Sequence, residues 1–315
     1  MRGRASLDKV ERELRAIARD VRRNEPLSRH VSFRIGGPAD LLVVPGSVEE
    51  LRRVMEFVYR AEVPVAVLGR GSNVLISDRG IRGVVVKIGR GVDGVSFSGT
   101  SVVAQAGAFL PTLANLAASR GLSGLEFCAG IPASLGGAVV MNAGAHGHCM
   151  AEVVRRVHLV TPSGEEVVAA EALGYGYRRS VLQEKIAVVV MAELELTARA
   201  PEEVRARTEL WLRQRNATQP IGPPSSGCIF RNPPGDHAGR LIDLAGAKGL
   251  QIGGARVSEV HANYILNVGD ATASDVLALM EEVARLVRNR FGVILEPEIK
   301  LLGDFDDEER GSGKE

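Results

Sequence analysis

The segment AGIPASLGGAVVMNAGAHG, residues 129–147, decides how this chain can fold. It holds five glycines with proline, serine and asparagine among them, more than a strand or helix of ordinary length tolerates. A second segment, GRGSNVL at residues 69–75, follows an apolar strand pattern, and its small residues leave N–H groups able to point at an anion. Alone, residues 69–75 fit a plain turn as well as a phosphate cradle. Two such segments together favour a dinucleotide with two phosphates.

Neither segment carries a common nucleotide-binding fingerprint. No Gly-Lys-Ser/Thr follows residues 69–75, which excludes a Walker loop, and the G-x-G-x-x-G spacing of a Rossmann turn is absent. Glycine nevertheless accounts for 36 of 315 residues, against a usual share of about 7%. This abundance fits a ligand lying along loops, where the backbone must be approached closely.

Composition narrows the class of protein. A net charge of +1 does not indicate binding to nucleic acid or to a membrane surface. The longest apolar run, residues 186–192, is too short to span a bilayer, and the N-terminal residues show helical spacing instead of a signal-peptide pattern. Cys128, Cys149 and Cys228 have neither metal-ligand spacing nor a disulfide framework. We therefore expect a cytoplasmic, monomeric protein with no metal.

Helix and strand patterns are mixed without a repeated βαβ rhythm, which predicts an α+β fold. Residues 47–62 predict a helix with a capping box formed by Ser47 and Glu50, and residues 63–69 a buried strand. A helix over residues 108–124 should stop at Gly121. Further expected elements include a hairpin at 155–170, helices at 201–219 and about 274–290, and a closing strand at 292–303.

Three further segments hold residues able to do chemistry. In YGYRRS, Arg178 could bind a carboxylate through two parallel hydrogen bonds, although a surface arginine is the simpler interpretation. In PPSSGCIFRNPPG, Cys228 is either a small apolar residue beneath a loop or a functional thiol. In LEPEIKLLG, we expect Glu296 to face solvent, whereas Glu298 would lie within a strand and point into solvent or a site.

Together and in chain order, these segments resemble the UDP-N-acetylenolpyruvoylglucosamine reductases over residues 24–303. The matching segments are SFRIGGPAD, LGRGSNVLISD, GLEFCAGIPASLGGAVVMNAGAHG, YGYRRS, RNATQPIGPPSSGCIFRNP, AGRLIDLAGAKGLQIGGARVSEVHANYILN and LEPEIKLLG. The short spacing between YGYRRS and SSGCIF is similar to the branch of the family without a substrate-covering insert.

The resemblance implies a two-part FAD-binding region of the vanillyl-alcohol-oxidase type followed by a C-terminal α+β substrate domain. We accordingly expect an N-terminal helical extension at residues 1–23, FAD-binding subdomains at 24–95 and 96–200, a substrate-binding domain at 201–303 and a disordered acidic tail at 304–315. The implied cofactors are FAD and NADPH. The implied reaction reduces the enolpyruvyl group of UDP-N-acetylglucosamine enolpyruvate to UDP-N-acetylmuramate, in peptidoglycan precursor synthesis.

The resemblance also implies site residues. Arg178, Cys228 and Glu298 match the catalytic positions. The positions that match FAD contacts are Leu68, Gly69, Gly71, Ser72, Asn73, Val74, Leu75, Gly130, Ile131, Pro132, Ser134, Gly136, Gly137, Asn142, Gly144 and Arg215. The residues expected at the UDP-sugar substrate are Tyr177, Arg231, Asn232 and Asn263. His146 stands where the family more often has tyrosine, and we expect it to pack a loop.

Cys228 departs from the family pattern, because that position is usually serine. A thiol has a pKa of about 8.5, several units below a serine hydroxyl, which makes it the stronger proton donor. We therefore expect Cys228 to be the general acid that protonates the substrate carbon. In the alternative, Cys228 is only tolerated and Ser225 or Ser226 delivers the proton.

Two other functions are compatible with the same fold. One is a flavin oxidase that acts on a different substrate, which the contexts of Arg178, Cys228 and Glu298 argue against. The other is a non-catalytic flavin- or nucleotide-binding protein, supported only by the departure at Cys228.

Overall fold

The computed structural model describes residues 6–305, and its mixture of helices and strands confirms the α+β class. The helices are α1 (Leu7–Ile17), α2 (Val48–Arg60), α3 (Leu110–Ser119), α4 (Leu135–Met141), α5 (Pro201–Thr218), α6 (Ala238–Leu244) and α7 (Ala273–Phe291). The strands are β1 (Asp20–Pro26), β2 (Pro38–Val44), β3 (Val65–Leu68), β4 (Val74–Ile76), β5 (Ile81–Lys87), β6 (Val95–Ser98), β7 (Ser101–Gln105), β8 (Leu122–Ser123), β9 (Gly144–Ala145), β10 (His148–Cys149), β11 (Val154–Thr161), β12 (Gly164–Ala169), β13 (Val188–Glu195), β14 (Thr197–Ala198), β15 (Gln251–Ile252), β16 (Ala255–Val257), β17 (Ile265–Asn267) and β18 (Lys300–Leu302).

The chain divides into two compact units. Unit 1 comprises Met1–Arg23, Leu41–Arg70 and Gly83–Arg215, and unit 2 comprises Asn24–Asp40, Gly71–Arg82 and Asn216–Glu315. The finer division at residues 24–95, 96–200 and 201–303 stays a prediction. From residue 306 onward, the predicted acidic tail lies outside the described residues.

Unit 1 is built on a five-stranded sheet of order β12-β11-β13-β7-β6, in which each neighbouring pair is antiparallel. Strands β3 and β5 pair in parallel and bring Leu68 opposite Lys87, at the start of residues 69–75. Helix α2 buries Leu51, Val54, Met55 and Val58 in the core of the unit, as its helical spacing predicts. Helix α1 joins the same core through Val10 and Leu14.

Unit 2 contains the three-stranded sheet β15-β16-β17 and helix α7. Helix α7 buries Val276, Leu279, Met280, Val283 and Val287. The parallel pair β4 and β18 matters most for function, because it sets Val74 opposite Lys300 and Ile76 opposite Leu302. It therefore brings the end of residues 69–75 beside LEPEIKLLG, more than two hundred residues further along the chain.

Local signals predicted the helix ends well. Ser47 Oγ accepts a hydrogen bond from the Glu50 N–H at 3.1 Å, while the Glu50 carboxylate reaches back to the Gly46 N–H at 2.8 Å. Gly121, which has a φ of +67°, follows α3, and β11 and β12 form the expected hairpin.

Other expectations at this level were wrong. Strand β3 lies at the edge of its sheet with Val67 38% exposed, so it is not a buried strand. Glu298 precedes β18 instead of lying within a strand.

Among residues 6–305, no helix has both the length and the apolar composition needed to cross a bilayer.

Candidate active site

In unit 1, the first glycine segment packs directly against the second. The chain leaves β3 at Leu68, and a Cβ added to Gly69 would lie 2.2 Å from the Ser134 Oγ. The Arg70 guanidinium lies 4.4 Å from the centre of the Phe109 ring, and Phe109 is bridged to Ser134. Leu68, Gly69 and Ser134 therefore lie together, and the FAD contacts predicted for them stay predictions.

Lys87 belongs to this site, although the sequence reasoning passed over it. Its Nζ donates a hydrogen bond to the Gly69 carbonyl at 2.5 Å. Burial, and then the nearby charge of Arg70, lower the pKa of Lys87 to about 8. The signal that could have found it is a lysine inside the apolar strand pattern IRGVVVKIG, where a charged group needs a partner.

Backbone contacts hold the second glycine segment in place. The Leu135 N–H donates to the Ala108 carbonyl, and the Gly136 N–H donates to the Ala106 carbonyl, both at 2.8 Å. A Cβ on Gly136 would meet the Ala106 Cβ at 3.0 Å. Gly137 is less confined, since the nearest atom to an added Cβ is the Ser134 Oγ at 3.6 Å. Small residues thus let this backbone approach its neighbours.

Asn142 ties this segment to YGYRRS. It has a left-handed backbone with a φ of 44° and is 4% exposed. Its Nδ2 donates to the Gly176 carbonyl and its Oδ1 accepts from the Ala151 N–H, both at 2.9 Å. The amide therefore shapes the loop, and the FAD contact predicted for Asn142 stays a prediction.

Arg178 lies beside the same loop. Its Nη2 donates to the Gly144 carbonyl at 2.9 Å, and its guanidinium carbon lies 5.3 Å from the Tyr177 ring centre. Its backbone has a φ of 55°, a conformation uncommon for a residue with a side chain. Tyr177 is 56% exposed, which leaves its ring accessible to a ligand. The structure thus brings Asn142, Gly144, Tyr177 and Arg178 together.

In unit 2, the first glycine segment continues as a row of unpartnered backbone donors. Among the described residues, the backbone N–H groups of Gly71, Ser72 and Asn73 have no hydrogen-bond partner. Gly71 has a φ of +66°, and a Cβ there would lie 2.8 Å from the Cα of Val31. Successive unpartnered amides of this kind form an anion-binding concavity.

Cys228 and Glu298 lie on two paired segments of unit 2. The Glu298 N–H donates to the Ile229 carbonyl at 2.7 Å, and the Arg231 N–H donates to the Glu296 carbonyl at 2.9 Å. Asn73 joins them, because its Nδ2 donates to the Glu298 carbonyl at 3.3 Å and its own carbonyl accepts from the Lys300 N–H at 3.1 Å. Residues far apart in sequence, predicted separately for FAD and for catalysis, therefore meet in this unit.

Asn263 fixes the Cys228 segment from the other side. It is 2% exposed, its Oδ1 accepts from the Phe230 N–H at 2.9 Å and its Nδ2 donates to the Phe230 carbonyl at 2.8 Å. The Ile229 N–H donates to the Asn263 carbonyl at 2.9 Å. Because both ends of its amide serve the backbone, Asn263 positions this segment, and the substrate contact predicted for it stays a prediction.

The neighbours of Cys228 include polar groups still able to bind. Ser226 is 1% exposed, and its Oγ has no hydrogen-bond partner among the described residues. The Arg231 Nε is likewise buried without a partner there, and its Nη1 lies 3.8 Å from the exposed Glu296. Asn232 is exposed, and its Oδ1 accepts from the Ala238 N–H at 3.0 Å at the start of α6.

Comparison with protein families agrees with these features. A profile described as an FAD binding domain matches residues 39–170, which include both glycine segments. The row of unpartnered amides at Gly71–Asn73, and glycines that must lack a Cβ, fit the phosphates of such a cofactor. Fold and site thus define the class as flavin-nucleotide-binding proteins.

A second profile, the C-terminal domain of UDP-N-acetylenolpyruvoylglucosamine reductase, matches residues 219–302. The reductase of that name from Desulforamulus reducens is 43% identical over 294 residues, covering 93% of this chain and 97% of that protein. The Bacillus subtilis reductase is also 43% identical, over 94% of this chain and 99% of its own length. This chain belongs to the UDP-N-acetylenolpyruvoylglucosamine reductase family, whose members are oxidoreductases.

A solved structure extends this relationship to the fold. The crystal structure of the Thermus caldophilus enzyme (MurB) superposes with a TM-score of 0.79 at 38% sequence identity. The superposition covers 90% of this chain and 99% of the other.

Proposed function

We propose that this chain catalyses the FAD-dependent, NADPH-using reduction of UDP-N-acetylglucosamine enolpyruvate to UDP-N-acetylmuramate in the cytoplasm. The observation that carries the proposal is the nearly full-length match to reductases of that name. It is supported by Cys228 and Glu298, the candidates that the family resemblance implies, which lie on adjacent paired segments. NADPH rather than NADH, and a monomeric state, belong to the proposal.

The residues present fit FAD. In unit 2, the N–H groups of Gly71–Asn73 would bind a phosphate of the cofactor. In unit 1, Lys87 would hold the Gly69 backbone, and residues 130–137 with Arg215 would contact FAD. Bound FAD would supply the transfer of hydride from NADPH to the terminal carbon of the enolpyruvyl group.

Arg178 would stabilise the charge that develops on the substrate. Hydride addition to an enolpyruvyl carboxylate builds an enolate-like anion, and a cation aimed at that charge lowers the barrier. The Gly144 carbonyl holds the Arg178 guanidinium through Nη2, so the group is oriented before substrate binds. Glu298, protonated or acting through a water, would donate a hydrogen bond to the same anion.

Cys228 would complete the reaction by donating the thiol proton to the carbon that bears the carboxylate. A protonated thiol within reach of that carbon can act as the general acid. The rival donor is Ser226, because its buried Oγ has no partner among the described residues. Ser226 lies two residues from Cys228, so only mutagenesis separates them.

The purified protein should be yellow. It should lose its colour with NADPH under anaerobic conditions, and UDP-N-acetylglucosamine enolpyruvate should restore it. A colourless protein would contradict the flavoenzyme assignment. Bleaching that the substrate does not reverse would favour a different substrate or a non-catalytic flavin-binding protein.

Substitution of Cys228 tests the proton donor. Cys228→Ala should leave bleaching by NADPH near the wild-type rate and slow reoxidation by substrate at least about 100-fold, the usual contribution of a positioned acid. Cys228→Ser, which restores the residue usual in the family, should keep much of the reoxidation rate. Stopped-flow absorbance separates the two half-reactions.

Ser226→Ala is the matched control. It should reoxidise at nearly the wild-type rate if the thiol is the donor. Fast reoxidation in Cys228→Ala together with slow reoxidation in Ser226→Ala would assign the proton to the serine.

A further inference from the structure

Helix α5 presents a row of three residues to the FAD-matched segment of unit 1. Arg207, Trp211 and Arg215 are spaced four residues apart, which places them on one face of the helix. The helix lies outside both family matches, which cover residues 39–170 and 219–302. Its relation to the FAD-matched segment is therefore judged from its contacts with residues 126–148.

Each residue of the row contacts a different part of that segment. The Arg207 Nη1 lies 3.5 Å from the Glu126 Oε1, and this carboxylate is buried with only 3% of the side chain exposed. A Cβ on Gly130 would lie 2.2 Å from the Arg215 Cδ, so the stem of this arginine lies directly on the glycine turn. Both arginines are anchored at sites that the cofactor-binding segment provides.

Trp211 makes the central contact. Its indole stacks on the His146 ring with centroids 5.1 Å apart and planes 9° apart, and the His148 ring lies 5.4 Å away. His148 is in turn bonded to Glu152, with 2.7 Å between Nδ1 and Oε2. His146 has a left-handed backbone with a φ of 55°, so the turn of NAGAHG presents this ring to the helix. Aromatic pairs in offset-stacked geometry attract beyond their burial.

The charges around His146 agree with a neutral stacking partner. Burial, and then the charges of Arg215 and His148, hold the pKa of His146 below its ordinary value, while a hydrogen bond with the Trp211 backbone acts in the opposite direction. A neutral imidazole can pack on the indole without adding a second positive charge beside Arg215.

We propose that Trp211 and His146 are positioning residues that hold Arg215 over the Gly130 turn, so that the guanidinium is preorganised for FAD. This inference rests on the FAD binding of the proposed function. The proposal concerns the affinity of the protein for FAD and gives Trp211 and His146 no part in the catalytic step. Preorganising a charged side chain raises affinity by reducing the ordering that binding must otherwise impose.

The test is FAD affinity, measured by calorimetric titration of the flavin-stripped full-length chain. Trp211→Ala should weaken FAD binding about tenfold, a change of 1.4 kcal/mol. Trp211→Phe, which keeps an aromatic ring, should restore most of the affinity. Leu212→Ala is the control on the same helix, because Leu212 is exposed and outside the row, and it should bind FAD as the wild type does.

A double-mutant cycle distinguishes positioning from a general effect on the helix. In an Arg215→Ala background, Trp211→Ala should weaken FAD binding less than about twofold, because the residue through which it acts is gone. An equal loss in both backgrounds would overturn the proposal. His146→Ala should behave as Trp211→Ala does in the same cycle, and it stands in for that variant if loss of the indole impairs folding.

Fluorescence gives a readout that does not depend on FAD. Trp211 is the only tryptophan of the chain, so removal of the stacked ring in His146→Ala should change the emission of the apoprotein. Unchanged emission would show that the stack is absent in solution and would overturn the proposal. A protein that binds FAD as described but fails to reduce the enolpyruvyl substrate would refute the proposed function and leave this inference standing.

Discussion

The loop of unit 1 and the loop of unit 2 that contain candidate site residues are fixed by different kinds of contact. In unit 1, residues 129–147 are fixed by backbone hydrogen bonds, by the Asn142 amide, and by glycines such as Gly136 and Gly144, at which an added Cβ would meet neighbouring atoms at 3.0 Å or less. In unit 2, the segment around Cys228 is fixed by one buried side chain, the Asn263 amide, and by pairing with the Glu298 segment. Where neighbouring atoms fill the space at a glycine, an added Cβ is not accommodated, whereas a loop held from outside can change the residue it presents. The difference is compatible with the expectation from the family resemblance that either cysteine or serine can stand at the position of Cys228.

The largest effect should come from adding one methyl group to the backbone-held loop. In Gly144→Ala, the new Cβ would lie 2.4 Å from the His148 carbonyl oxygen and 2.9 Å from the Cys149 Cβ. We expect the free energy of unfolding to fall by about 3 kcal/mol, since overpacking against backbone cannot be relieved locally. The added Cβ would also lie 3.2 Å from the Arg178 Nη1, so the hydrogen bond from Arg178 to the carbonyl of residue 144 should be disturbed. Urea denaturation measures the first effect.

Gly137→Ala is the control for that experiment, because an added Cβ meets nothing closer than 3.6 Å. Its free energy of unfolding should not fall, since alanine favours a helix over glycine. If both variants unfold alike, close approach does not explain the glycines of this loop.

A smaller effect is expected from the side chain that holds the second loop. Asn263→Ala leaves the Phe230 N–H and carbonyl without their partner, which should cost about 2 kcal/mol of stability. Because the Cys228 segment is then less well fixed, reoxidation by substrate should slow more than reduction by NADPH. Denaturation and stopped-flow absorbance measure the two effects.

Asn232→Ala tests whether any nearby asparagine would behave in the same way. Asn232 is exposed and accepts only the Ala238 N–H at the start of α6, so its loss should cost about 1 kcal/mol. If Asn263→Ala is no less stable than Asn232→Ala, the Asn263 amide does not hold the Cys228 segment in the way described above.

The smallest effect concerns pH. The pKa of Lys87 is lowered to about 8, and the diphosphate of bound FAD would raise it, so binding takes up protons as the pH passes this value. The affinity for FAD should therefore be full below about pH 8 and fall several-fold above it. Lys87→Met should bind more weakly and lose this dependence. If the affinity of the wild type for FAD does not change between pH 7 and 9, a charged Lys87 beside Gly69 does not contribute to FAD binding.

Much of the local structure was predictable because its signals lie within a few residues. Examples are the Ser47 cap, the end of α3 near Gly121 and the buried face of α7. Each depends on residues within the helix or next to its end. The edge position of β3 was not predictable, since its apolar run does not reveal which strands flank it. Nor did the spacing of Glu298 show that the chain there pairs with Ile229 before β18 begins.

By itself, the sequence determined the α+β class, the positions of both glycine loops and the family with its catalytic candidates. Those features depend on local backbone preferences and on motifs in chain order. Only the tertiary structure decided that Lys87 holds Gly69, that Asn263 serves the backbone, and that Trp211 stacks on His146. Such contacts join residues that are distant along the chain. Close packing in the folded protein determines which residues meet, and a local sequence pattern does not contain that information.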